Sequence, residues 1–274
     1  MSTMTLSQAP APGPSSSGTA RTVPTRIPFA RILWVELTKM FNTRSGFWLT
    51  ASIGITAVLA TGAVIMFGSE SAMTYDNFGA AIGVPMVIIL PVIAILSVTS
   101  EWSQRSGLTT FTLVPKRGEV IWAKLLISVA LGAVSIVAAL GIGALGNLVG
   151  AGIAGIDPVW DISWNQASSL VAANVLGLLF GFMLGVLIRN SAAAIVGYFV
   201  YNFVLAGLTA VLAENQEWFR DLQAWVDFKY TQGMLFEGWP VGGEAWAQLG
   251  VTAAAWVVLP LVVGLVLVRR SEVK

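Results

Sequence analysis

The chain has 274 residues, of which 56% are hydrophobic and only 11% charged, with a net charge of +1; this is too apolar for a soluble domain of this length. It contains no Cys and no His, which excludes disulfides, thiolate metal sites, a membrane Ser-His hydrolase and a haem protein with a His axial ligand. The basic residues are spread along the chain rather than gathered in one patch, so nothing points to nucleic acid.

Residues 1–25 are rich in Pro, Ser, Ala, Thr and Gly and hold no apolar run, the composition of a disordered tail; they do not read as a secretory signal, which needs an apolar core. Residues 26–274 read as a single transmembrane domain. Phe29, Leu33, Leu37, Met40 and Phe41 recur at helical spacing, with Arg31, Glu36, Lys39 and Asn42 between them. The spacing predicts an amphipathic helix over 29–45, lying flat in the headgroup layer with its basic residues toward lipid phosphates, or alternatively a soluble helix.

Six apolar stretches follow, at about 47–67, 78–100, 120–153, 167–188, 191–213 and 245–268, each at least the ~20 residues that a helix needs to cross a ~30 Å hydrocarbon core. Charges alternate between the gaps. Twelve of the 15 Lys and Arg fall before the first stretch, in every second gap or after the last, and Lys124 lies just inside the third on the same side, whereas ten of the 14 acids fall in the other gaps. The positive-inside rule then predicts cytoplasmic termini. Ten of the 11 Trp sit at the ends of stretches and only Trp256 lies well inside one, matching the preference of indole for the headgroup zone. The predicted fold is an all-α membrane protein of six spans with an N-terminal amphipathic helix.

Between the second and third spans, Glu101 and Arg105 are placed to pair on a short helix that Gly107 can end. Leu108, Phe111 and Leu113 then offer apolar contacts before a turn at Pro115–Gly118. A tether has no use for a capped helix followed by exposed Leu and Phe, so this segment reads as a protein-docking surface. In the third span Gly141, Gly143, Gly146, Gly150, Gly152 and Gly155 suit close helix packing. Pro85, Pro91 and Pro260 can kink their helices. Thr99, Asn147, Asn174, Asn202 and Thr209 are the polar candidates for a pathway, each also explicable as a helix–helix hydrogen bond. Past the fifth span, Trp218, Phe219, Leu222, Trp225 and Val226 mark one face of a second amphipathic helix, on or dipping into the outer leaflet, followed by a Gly- and Pro-rich run of turns.

No phosphate-binding Gly-Lys-Ser or Gly-Lys-Thr motif occurs, so the chain is not expected to hydrolyse ATP. The spans also lack the central charges of ion-coupled carriers, and no acid–base or nucleophile pair suggests an enzyme. The order of features nonetheless has a parallel. A helix carrying Glu36 and Lys39 before the first span, then Glu101, Gly107-Leu108-Thr109, Leu113, Pro115, Arg117 and Lys124 around the third, resembles the membrane subunits of type-2 ABC exporters from about Phe29 onward.

The resemblance implies a permease of the bacterial cytoplasmic membrane that pairs with a second six-span chain, identical or related. It also implies a soluble nucleotide-binding subunit, which would carry ATP and Mg while this chain binds no cofactor. Glu101, Arg105, Gly107, Leu108, Phe111, Pro115 and Arg117 would form the ATPase-coupling segment, and Arg31, Glu36 and Lys39 a second contact region on the elbow helix. The outer helix of Trp218, Phe219, Leu222 and Trp225 would sit above the path. A partner-independent carrier or channel and a non-transporting scaffold are the other readings.

Overall fold

The computed structural model describes residues 28–42, 44–103 and 117–270. The predicted tail at 1–25 lies outside them, as do Arg105, Gly107, Leu108, Phe111 and Pro115 of the predicted coupling segment. Among the described residues the chain is all helix, with one isolated bridge between Thr74 and Val159. Six helices are long and apolar enough to cross a membrane, making this a multi-pass membrane protein.

Helix α1 (Phe29–Asn42) precedes α2 (Arg44–Phe67), the first span. The second and third spans are α3 (Tyr75–Ser103) and α4 (Arg117–Ala154), and the fourth is α5 (Trp164–Ile188). The fifth, α6, runs Ser191–Asn215. Two short helices follow, α7 (Glu217–Val226) and α8 (Phe228–Met234), before the sixth span, α9, which begins at Gly243 and ends at Arg270. Ten acids gather at the end of the bundle carrying the α2–α3, α4–α5 and α6–α9 connections, here called the acidic end.

The bundle is built around α3 and α5, which share its most extensive helix contact. Gly177, Gly181 and Gly185 recur every fourth residue on α5 and so form one stripe. A Cβ on Gly181 would lie 2.6 Å from the Pro91 carbonyl oxygen and 2.8 Å from Pro91 Cα; one on Gly185 would lie 3.2 Å from the Ile95 carbonyl oxygen. The backbones therefore touch, the arrangement that small residues allow where lipid supplies no hydrophobic drive.

Pro91 has no N–H, which leaves the Val87 carbonyl, one turn back, without its helical donor. Tyr198 of α6 supplies one: its hydroxyl donates to Val87 O at 2.5 Å. Proline thus recruits the fifth span to the second. Thr99 adds a second bond between them, 2.7 Å to Ser191 Oγ. The third-span glycines divide. A Cβ at Gly146 or Gly150 would collide with Thr61, Phe78 or Met73 side chains, whereas one at Gly141 or Gly152 would meet nothing; Gly155 lies just past the end of α4 at φ +72°, where a side chain is strained.

Both of the last two spans contain a π-helical stretch, Val200–Leu205 in α6 and Ala254–Val258 in α9. Pro260 accounts for the second, since its ring disrupts the bond to the carbonyl four residues earlier, at Trp256. The two stretches meet through Tyr201 and Trp256, with ring centroids 5.5 Å apart. Phe180 of α5 stacks on Tyr201 at 4.1 Å and on Phe228 of α8 at 6.0 Å, so one aromatic cluster joins four elements.

Gly181→Ala should destabilise the chain by about 1–3 kcal/mol, because backbone rather than a mobile side chain must yield, while Gly152→Ala should be neutral or slightly stabilising. Thermal unfolding of the two variants in the same detergent checks the contrast. Tyr198→Phe should cost about 1–3 kcal/mol by stranding the Val87 carbonyl, read in the same assay.

Candidate functional site

The end opposite the acidic one is organised by α1 and the start of α4. At 38 residues α4 is about 57 Å long, well beyond a ~30 Å hydrocarbon core, and its first turns serve as a foot for α1. Ile32 and Leu33 pack on Val120 and Ala123. Next to this apolar contact, Glu36 is buried. Its Oε2 accepts from Lys124 Nζ at 2.5 Å and its Oε1 from Lys39 Nζ at 2.7 Å. The Glu36 and Lys124 side chains are 6% and 7% exposed, while Lys39 is 42% exposed.

Burial works to raise the Glu36 carboxyl, but the charges of and hydrogen bonds from Lys124, then Lys39, outweigh it and hold the group below its ordinary value. Amphipathic spacing alone sets Glu36 among the polar residues of α1. It turns inward because a lysine 88 positions later meets it. Trp34, Val35 and Phe41 instead lie on the surface, and Arg31 is exposed. Glu101 is in the last turn of α3 and Arg117 is the first residue of α4, so the pinned α1 lies beside the helix that follows the predicted coupling segment.

The acidic end is stitched together by short polar bonds. Tyr75 N–H donates to Val159 O at 3.0 Å, Asn147 Nδ2 to the same oxygen at 2.9 Å, and Asp76 N–H to Asp161 Oδ1 at 2.7 Å. Arg220 of α7 donates to the Ala213 and Glu214 carbonyls, satisfying groups left over at the end of α6. On α7 only Phe219 and Gln223 point inward; Trp218, Leu222 and Trp225 face out. The spacing that grouped Phe219 with those three is thus split between two environments.

Helix α8, where the sequence shows mainly turn signals from Gly233 onward, re-enters the bundle. Its Phe228, Thr231 and Gln232 are buried. Gln232 Nε2 donates to Ala173 O at 2.7 Å, beside Gly177, where a Cβ would obstruct it. Thr231 and Thr252 hydroxyls are 2.7 Å apart, and Trp256 Nε1 donates to Val226 O at 2.7 Å.

Below this rim lies a cavity of about 590 Å³ between α3, α4 and α5. It reaches from Asp76 to Val87, about 16 Å of helix. Its polar lining consists of Asp76, Gln166, Asn174 and Glu237. Of the pathway candidates, only Asn174 lines it. Thr99 is spent on an interhelical hydrogen bond, Asn147 donates its Nδ2 to a loop carbonyl and keeps a buried Oδ1 without a partner away from the cavity, Thr209 bonds its own helix at Ala206 O, and Asn202 sits half-buried in the first π stretch. Asp76, Gln166 and Glu237 escape sequence reading because polar residues near span ends are usual; only the fold shows that the starts of α3 and α5 and the connection after α8 bring them to one opening.

Glu36→Ala should cost about 3 kcal/mol by leaving the Lys124 charge buried without this carboxylate, and pairing Glu36→Leu with Lys124→Met should recover most of the loss. Because the folded Glu36 value is depressed, its stabilisation is complete above the unfolded value of 4.5 and is lost as pH falls through the folded one. Unfolding midpoints from pH 7 to 3 should fall more steeply for the wild type than for the apolar pair. Compared with known proteins, the chain matches no family model and no curated protein.

Proposed function

We propose that this chain is the membrane-spanning subunit of an ATP-driven exporter of the type-2 ABC class, embedded in a bacterial cytoplasmic membrane with both termini inside. The observation that carries the reading is the anchoring of α1 across the foot of α4 through the buried Glu36–Lys124 pair. A rigid brace at that point suits a chain that must receive force through the neighbouring coupling segment. It has less purpose in a passive channel. The distribution of Lys and Arg supports the orientation, and the absence of charge at mid-span favours an external energy source over ion coupling.

On this reading α1 is the elbow helix. The predicted coupling segment, from about Glu101 to Thr112, contacts a soluble ATPase, and a second six-span chain completes the path. The chain itself carries out no hydrolysis.

Tagged chain purified from native membranes in mild detergent should bring with it a nucleotide-binding subunit in equal amount, with vanadate-sensitive ATP hydrolysis. A clean preparation without any ATPase, repeated after gentle crosslinking, would overturn the reading. Within an assembled complex, Glu101→Lys or Ser103→Pro should uncouple hydrolysis from transport; full transport by either variant would remove the docking assignment.

A further inference from the structure

We propose that the cavity between α3, α4 and α5 is a binding site for an amphipathic amine, its apolar body in the shaft and its protonated nitrogen at the acidic rim. This does not rest on the ATPase-coupled reading. It follows from the chemistry of the cavity and the way it opens.

The shaft is apolar, walled by residues such as Met86, Ile136 and Leu140, and its volume of about 590 Å³ falls in the range of sites for drug-sized molecules. Val84 lines the cavity and is yet 70% exposed on α3, so the space opens sideways towards lipid as well as at the rim. A ligand dissolved in the membrane can enter there without crossing water.

The rim determines the sign of the charge. Asp76 and Glu237 both line it, and no Lys or Arg does. Gln166 Nε2 donates to Asp76 Oδ1 at 2.9 Å and holds that carboxylate in place. Among the described residues neither acid has a cationic partner. The two basic residues of this end lie elsewhere: Arg220 binds the end of α6, and Lys229 is half-buried beside Asp227, where burial holds its pKa below the ordinary lysine value although the Asp227 charge opposes the shift.

An anion would therefore meet two uncompensated negative charges next to low-dielectric walls. A bare metal ion would find no group of ligands: none of the described residues forms a cluster fit to hold one. A lipophilic cation satisfies both the rim and the shaft. Deeper in, Asn174 spends its Nδ2 on Leu170 O and leaves a buried Oδ1 without a hydrogen-bond partner, an acceptor suited to an N–H or O–H on the ligand body.

The test uses the full-length chain in phosphatidylcholine nanodiscs, with rhodamine 6G as cationic probe, fluorescein as its anionic counterpart, and fluorescence polarisation as readout. Rhodamine 6G should bind saturably and fluorescein should not. Asp76→Asn with Glu237→Gln, isosteric changes at the rim, should weaken binding about tenfold or more. Val84→Trp, on an exposed position that the fold does not use, should block the lateral opening and weaken it similarly. Equal affinity in wild type and the rim double variant, or equal binding of fluorescein, would overturn the proposal. Mass spectrometry that found a co-purified phospholipid in the wild type, lost in Val84→Trp, would also overturn it by assigning the cavity to lipid.

Discussion

Everything in this bundle depends on the backbone contact between α3 and α5. Where solvent is lipid, apolar side chains gain little by leaving it for one another, so association rests on close packing and on hydrogen bonds that lipid cannot offer. Gly181 and Gly185 let the two helices approach until Pro91 and Ile95 touch them. That approach fixes where Val87 presents its freed carbonyl, and so where Tyr198 brings α6. At the same time it leaves a space on the neighbouring side of α3, which α4 only partly fills. The cavity and the tight seam are two results of one helix pairing.

The second span connects the two ends of the bundle. It starts at the rim with Asp76, passes the cavity wall at Met86 and Val87, contains two prolines, and finishes at Ser103, within the predicted coupling segment. The opposite side of that segment returns through α4, which α1 braces at Lys124. The second span is thus a continuous helical route from Ser103 to the rim, beside the adjacent helix that α1 braces. The prolines are placed between these ends, and each removes a backbone bond that would otherwise stiffen the route.

The spans were legible in the sequence because length and apolar composition are local properties, and so was the division of charge between the two ends. The stripe of Gly177, Gly181 and Gly185 is legible too, as small residues four apart, although its partner is not. What local pattern could not supply was pairing across distance. Glu36 sits among polar neighbours on its own helix, and only the arrival of Lys124 makes burial tolerable there. Helix α8 is short and borders Gly-rich turns, so its inward course depends on Gln232 reaching a carbonyl on α5. The rim of the cavity likewise draws on two helix starts and one connection that are far apart in the chain.

The π stretches in α6 and α9 carry a consequence for how those spans can be mapped. Each accommodates an additional residue within a turn, which shifts the angular phase of everything beyond it by about 100° relative to a continuous α-helix. Residues before Val200 and after Leu205, or before Ala254 and after Val258, therefore do not share one helical wheel. Cysteine scanning of either span, made straightforward by the native absence of cysteine, would trace two periodic patterns with a break between them. Fitting one wheel across the break would place lipid-facing positions in the interior.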